Sequence, residues 1–334
     1  FADVLALDSV FFGDQSNSYI DPVTQALVPM LFVDDLRPPS IETDPANSLA
    51  DITLWRAWAE VHTRIGSFKI GRQPLDWGMG IWQNDGLGMN ADYGDSADRV
   101  QWDRAFDDVF LRAAVEVDSY ALADTDARDI VSANLAVAYR SERVEIGANA
   151  QVRQSFGGGE GDFTMVTASA AMDAELGNLR VGAELVGRYG GGSIDAVLDS
   201  ARVQSFGGVL VGELKQEKLT LGVEIGAASG DGDPTDQTIS TFTFDRDYNV
   251  ALIMFEQPMP LFRDPTTNAR KTDLAISGNG ISNAVFARAQ ASYAIDEDFT
   301  AEVAVIGART FQRSSSRQGQ NVYGLEVDPG VRYK

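Results

Sequence analysis

The sequence predicts an all-β chain folded as an antiparallel up-and-down transmembrane β-barrel of about 14–18 strands, with short periplasmic turns and long extracellular loops. Three observations predict it. Apolar and polar residues alternate at period two over strand-length segments, these segments form hairpins across short polar turns, and the connections between hairpins are long and variable.

Taken in order, Phe1 to Phe12 opens as a candidate strand, and Asp51 to Thr63 alternates and returns through Arg64-Ile65-Gly66-Ser67 into Phe68 to Gly71. Val131 to Val152 is the clearest unit. Val131, Ala133, Leu135, Val137 and Tyr139 share one parity, and after Ser141-Glu142-Arg143 the apolar face restarts at Val144, Ile146, Ala148, Ala150 and Val152. Thr164 to Ala174 pairs with Leu179 to Leu185, Phe206 to Leu214 with Leu219 to Ile225, and a further hairpin runs from Val285 to Val305 through Ile295-Asp296-Glu297-Asp298. Tyr139 to Val144, Ala174 to Leu179, Leu214 to Leu219 and Thr63 to Phe68 are each five positions apart, which predicts a constant turn geometry. Tyr323 to Lys334 reads as a last strand without a partner, so the chain is expected to be a single barrel domain, residues 1–334, incomplete at one or both ends.

Alternation does not say which face is outside. Strands of roughly 9–13 residues fit the ~9–11 that cross a bilayer at a tilt, against ~5–6 for soluble strands. The polar face carries both signs: Arg56, Glu60, His62, Glu116, Arg140, Glu145, Arg153, Arg180, Glu184, Arg188, Glu224, Arg288 and Glu302 are the candidate lumen-lining residues. On a lipid face a mid-plane Arg would cost ~2–4 kcal/mol, whereas in a wet lumen these groups can cross-pair. Trp55, Tyr139, Tyr189, Tyr293, Phe299 and Tyr333 fall near strand ends, as interfacial girdles do. The competing structure is a soluble two-sheet β protein whose polar face meets bulk water.

Composition narrows the functions. A net charge of −22 argues against nucleic acid, because binding phosphates needs a basic surface. With no cysteine there is no disulfide scaffold and no Cys-ligated metal, and no cofactor is implied. The single histidine, His62, sits on the polar face near a short turn, which suits a hydrogen-bonding lumen residue better than a catalytic one. Gly157-Gly158-Gly159-Glu160-Gly161 lies between strands and precedes no helix, so it is a loop and not a dinucleotide site. No enzyme is expected.

Two long loops stand out, 74–101 and 229–280. The first carries Trp77, Met79 and Trp82 among Gly and Asp, too apolar for free solvation; it either folds into the lumen as a constriction or lies over the rim. The second contains Asp231, Asp233 and Asp236, a weak calcium candidate better read as a solvated turn, and the apolar run Tyr248 to Phe255, a short helix or a strand over the lumen.

The stretch Ile65 to Pro74 (IGSFKIGRQP) with Trp77-Gly78-Met79-Gly80, and Phe244 to Phe255 (FDRDYNVALIMF), resemble segments of large outer-membrane porins of the alginate-export type. The resemblance implies a barrel in the cell outer membrane that conducts solute, an anionic polysaccharide in that family, through an Arg- and Lys-lined lumen. Here the inward face mixes Glu with Arg, and the family's terminal aromatic is replaced by Lys334. The expected function is passage of small hydrophilic solutes through a charged lumen. The alternative is a non-conducting structural barrel that anchors an envelope complex. Expected partners are outer-membrane lipid, the solute, and an envelope protein or further copies of the chain.

Overall fold

The computed structural model describes residues 2–6, 18–20, 27–29, 52–87, 94–119, 129–156, 162–193, 200–233, 236–255, 280–313 and 321–333. Its strands are β1 (Ala2–Ala6), β2 (Ser18–Ile20), β3 (Leu27–Pro29), β4 (Ile52–Thr63), β5 (Gly66–Pro74), β6 (Ser96–Phe106), β7 (Val109–Ser119), β8 (Asp129–Arg140), β9 (Val144–Phe156), β10 (Phe163–Leu176), β11 (Leu179–Gly192), β12 (Ala201–Gln216), β13 (Leu219–Ala228), β14 (Thr238–Ile239), β15 (Ala284–Ala294), β16 (Phe299–Thr310) and β17 (Val322–Tyr333). Fourteen of them form one antiparallel meander, β1 and then β4 through β17 in chain order; β14 sits off this path, parallel to β12, and β2 pairs with β3. The predicted up-and-down class is observed. Every predicted hairpin forms, as β4–β5, β8–β9, β10–β11, β12–β13 and β15–β16.

Parity decides the faces as the alternation predicts. In β8 and β9, Leu135, Val137, Tyr139, Ile146 and Val152 are all more than two-fifths exposed, while Ser132, Asn134, Asn149, Gln151 and Arg153 are buried. The apolar face is therefore the outer one, the inverse of a soluble sandwich, where it would be packed away. Tyr139, Tyr293, Phe299 and Tyr333 stand exposed at the short-turn end and Tyr189 near the opposite end, while the side chain of Trp55 lies outside the described residues.

Two expectations change. The constant five-residue offset does not report one turn geometry: the connections 64–65, 177–178 and 217–218 have two residues, while 141–143 has three. Offsets measured between apolar residues record the parity of the outer face, and either loop length preserves it. The first long loop is also shorter than expected, because β6 begins at Ser96, and β6 and β7 form a further hairpin through Asp107 and Asp108. Within Ser96–Phe106 only Val100 and Trp102 supply mid-strand apolar residues on the outer face, since the outward position 98 carries an Asp that pairs with Arg72 of β5 at 2.8 Å. A period-two pattern over so few positions is hard to distinguish from loop.

The two-residue turns need a left-handed residue. Gly177 supplies it at φ 71°, but in the β12–β13 turn Glu217 holds φ 47°, which costs an L-residue about 1–2 kcal/mol. Glu217 is exposed, so Glu217→Gly should raise stability by roughly 1 kcal/mol and shift the urea midpoint upward at unchanged slope. A lowered midpoint would mean the turn is not strained.

Candidate functional site

The inner face is built by register. Antiparallel pairing puts Arg99, Glu116, Ser132 and Arg153 in one row across β6–β9, and Gln101, Ala114, Asn134, Gln151, Thr167, Arg188 and Ser205 in the next. Glu116 is fully buried and accepts from Arg99 Nη1 at 3.1 Å and from Gln151 Nε2 at 2.9 Å. Removing one partner of such a buried pair costs ~3–5 kcal/mol, because the other charge is left without compensation. Nearer the short turns, Arg112 pairs with Asp103 (3.0 Å), Arg140 with Glu145 (2.7 Å), Arg288 with Glu224 (3.7 Å) and Arg332 with Glu302 (2.9 Å); Arg180 pairs with Asp173. Glu60 and His62 lie at the short-turn end of β4. There the His62 Nδ1 is 2.8 Å from Ser67 Oγ, and the His62 side chain is 75% exposed.

The segment 75–87 crosses this face. Glu184 of β11 holds it: one carboxylate oxygen accepts the backbone N–H groups of Met79 (2.8 Å) and Ile81 (3.3 Å), while the other accepts from Ser169 Oγ (3.1 Å). Trp77 Nε1 donates to the same Ser169 Oγ at 2.9 Å, and Arg56 of β4 donates to the Asp85 carbonyl. Two strand glycines admit the loop. A Cβ at Gly147 would come within 2.9 Å of Trp77, and one at Gly182 within 2.9 Å of the Met79 sulfur. Trp77, Met79 and Trp82 therefore face inward, between β4 on one side and β11 on the other.

The second segment, 236–255, fills the other half of the interior. Its run from Tyr248 to Phe255 forms neither helix nor strand. Phe242, Phe244, Val250, Met254 and Phe255 pack with Ile81, Trp82, Val186, Val209, Phe286 and Ile306 in one buried cluster. Tyr248 Oη donates to Glu224 Oε1 at 2.8 Å, and Glu326 of β17 accepts three consecutive backbone N–H groups, those of Leu252, Ile253 and Met254, at 2.7–3.0 Å. On part of the inner face the charged residues stand among apolar ones. On β11–β16 the inward positions include Val186, Val209, Phe286 and Ile306, and they are covered by the loop. At the weak calcium candidate, Asp231 and Asp236 accept N–H groups of their own turns, from Asp233 and Thr238, and no group of three or more metal-ligating side chains occurs among the described residues.

A cavity of about 690 Å³ lies open against β4–β10, below segment 75–87. Lys69, Gln73, Arg99, Gln101, Asp103, Arg112, Arg140 and Glu145 line it, together with Trp58, Trp77 and Phe110.

The two segments meet at a pair of carboxyls. The Asp245 N–H donates to the Ile81 carbonyl at 3.0 Å, and the Asp95 side chain, which accepts the Asn84 N–H at 3.1 Å, hydrogen-bonds to the Asp245 side chain. Burial pushes Asp245 up to about 7, with the charge of Asp247 adding to it. Burial first, and the charge of Asp245 second, push Asp95 well above the ordinary carboxylate range. One proton between the two oxygens replaces a like-charge contact by a hydrogen bond.

No protein-family model matches the sequence, and no curated protein matches it. Among solved structures the chain is similar to the outer membrane channel DcaP of Acinetobacter baumannii (13% identity, TM-score 0.48, 87% of this chain and 77% of that one). It is also similar to an anion-selective porin from Comamonas acidovorans (10%, 0.48, 85% and 80%) and to Pseudomonas aeruginosa OpdK, solved with vanillate (14%, 0.44, 82% and 67%).

Linkage gives the junction a pH dependence with a definite sign. Between pH ~4 and about 7 the folded junction keeps a proton that an unfolded carboxylate releases, so its stability falls as pH rises through that window. Amide protection factors across 79–84 and 244–248, corrected for intrinsic exchange, should drop from pH 5 to pH 8. In Asp245→Asn they should stay nearly flat. Equal pH dependence in both proteins would show that this pair does not control the contact.

Proposed function

We propose that the chain is an outer-membrane β-barrel channel for small hydrophilic solutes, of the large porin kind and closest in character to the alginate-export type. The carrying observation is the cavity of about 690 Å³, walled by paired charges and roofed by segment 75–87. Solute would pass along the β4–β10 wall alone, because apolar packing occupies the β11–β17 half. The balance of paired Arg, Lys, Asp and Glu on that wall favours polar solutes generally and does not single out anions. Segment 75–87 is the constriction, and Glu184 is its positioning residue. A second proposal, a structural barrel that does not conduct, draws support from the same apolar packing. Trp77 and Trp82 do not favour it, since both turn inward and offer no aromatic surface to a partner.

Planar-bilayer recording separates the two. The channel reading expects steady current from the folded protein, and a single-channel conductance raised by a factor of about two in Glu184→Ala, where the loop loses its anchor. Absence of current from both proteins, with β-structure intact, would leave the structural barrel. The membrane setting has its own check. Leu135→Arg should cost ~2–4 kcal/mol in lipid vesicles, with Tyr139→Arg costing ~0–1 because it lies at the interface. Similar small costs at both positions would point to an outer face in water.

A further inference from the structure

The outer face of β11, β12, β13, β15 and β16 is not smooth. Gly208, Ala227, Ala287 and Gly307 leave a groove of about 870 Å³ between Leu185, Phe206, Leu210 and Ile225. The groove crosses five strands, roughly 20 Å at ~4.8 Å per strand. Its wall is apolar except at one end, where Arg309 of β16 points outward and is exposed. The Arg309 side chain has no ion pair or hydrogen bond among the described residues. Of the other outward cations on the strands, Arg72 is matched by Asp98 and Arg104 donates to the Arg64 carbonyl, while Arg202 of β12 lies off the groove.

The height of Arg309 is informative. It lies ten residues along β16 from Phe299, the aromatic at the short-turn rim. At ~3.4 Å per residue and a tilt of ~40°, that is about 26 Å of vertical rise, close to the ~25 Å apolar band of a barrel of this kind. Two residues further on, the ring of Phe311 meets that of Phe206 of β12 edge to face at 5.6 Å, both partly exposed, as interfacial aromatics are. The guanidinium therefore stands at headgroup level on the loop side, above an apolar trough within the same leaflet.

We infer that this groove is a binding site for a phosphate-bearing lipid, with an acyl chain lying over Gly208, Ala227, Ala287 and Gly307 and the phosphate on Arg309. The inference rests on the membrane reading above. Charge complementarity selects the occupant: an unmatched cation at this depth is stabilised by an anion from the leaflet itself, and the trough below it offers only apolar contact. Gly307 is the point of closest access. A Cβ there would meet nothing nearer than Leu325 at 3.8 Å, so a larger residue fills the groove without moving backbone.

Native mass spectrometry of the full chain, delipidated in a neutral maltoside detergent, tests the site with phosphatidic acid and, as its phosphate-free counterpart, diacylglycerol. The wild type should retain phosphatidic acid in preference to diacylglycerol. Arg309→Gln should weaken phosphatidic acid retention about fivefold, the order expected of one charged hydrogen bond at a half-wet site, and leave diacylglycerol unchanged. Gly307→Leu should weaken both. Arg143→Gln, in a short turn at the opposite rim, should alter neither. Equal retention of the two lipids by the wild type, or no effect of Arg309→Gln, overturns the site. So does a stable oligomer that Gly307→Leu converts to monomer, because the groove is then an interface between copies. Failure of the membrane reading is distinguishable, since the protein would then remain folded and monodisperse without detergent.

Discussion

Every feature of this molecule depends on one constraint: a sheet whose neighbours pair along its whole path leaves each side chain only two directions. Backbone N–H and C=O groups are satisfied strand to strand, so the side chains are released to define an inside and an outside. In the β8–β9 hairpin this sorts Leu135, Val137, Ile146 and Val152 from Ser132, Asn134, Asn149 and Gln151 without exception. A one-residue slip would exchange the two sets, so the same ladder that satisfies the backbone fixes which residues line the interior.

The interior uses a second device repeatedly. A strand carboxylate accepts backbone N–H groups of a loop: Glu184 for Met79 and Ile81, and Glu326 for Leu252, Ile253 and Met254. Loop backbone inside a barrel has no ladder to join, and buried N–H groups need partners. The wall supplies them. This explains why two segments with few regular elements hold defined positions, and why their apolar side chains can turn toward each other to form the buried cluster on the β11–β16 side. It also divides the interior into a filled half and a polar half, so the proposed passage is eccentric rather than central.

Much of this was legible in the chain. The five predicted hairpins form, and the mixed-sign set from Arg56 to Glu302 falls on the inner parity. The β6–β7 hairpin was missed because Asp98 and Arg104 break the apolar pattern near the strand ends. On β11–β16 Glu224 and Arg288 were visible as charges, whereas Val186, Val209 and Phe286 on the same face had no partner visible in the sequence. No local signal joined Asp95 to Asp245, which lie 150 positions apart.

The sequence by itself determined the sheet: its hairpins, the parity of each strand and the inequality of the connections. These follow from period two and from short-range turn chemistry, which act between neighbours along the chain. Only the tertiary structure decided what the inner face meets. Whether a given inward residue borders water, a carboxylate or an aromatic ring depends on where the two long segments lie. That is set by contacts between residues far apart in sequence, such as Trp77 with Ser169 and Tyr248 with Glu224, which no periodicity encodes.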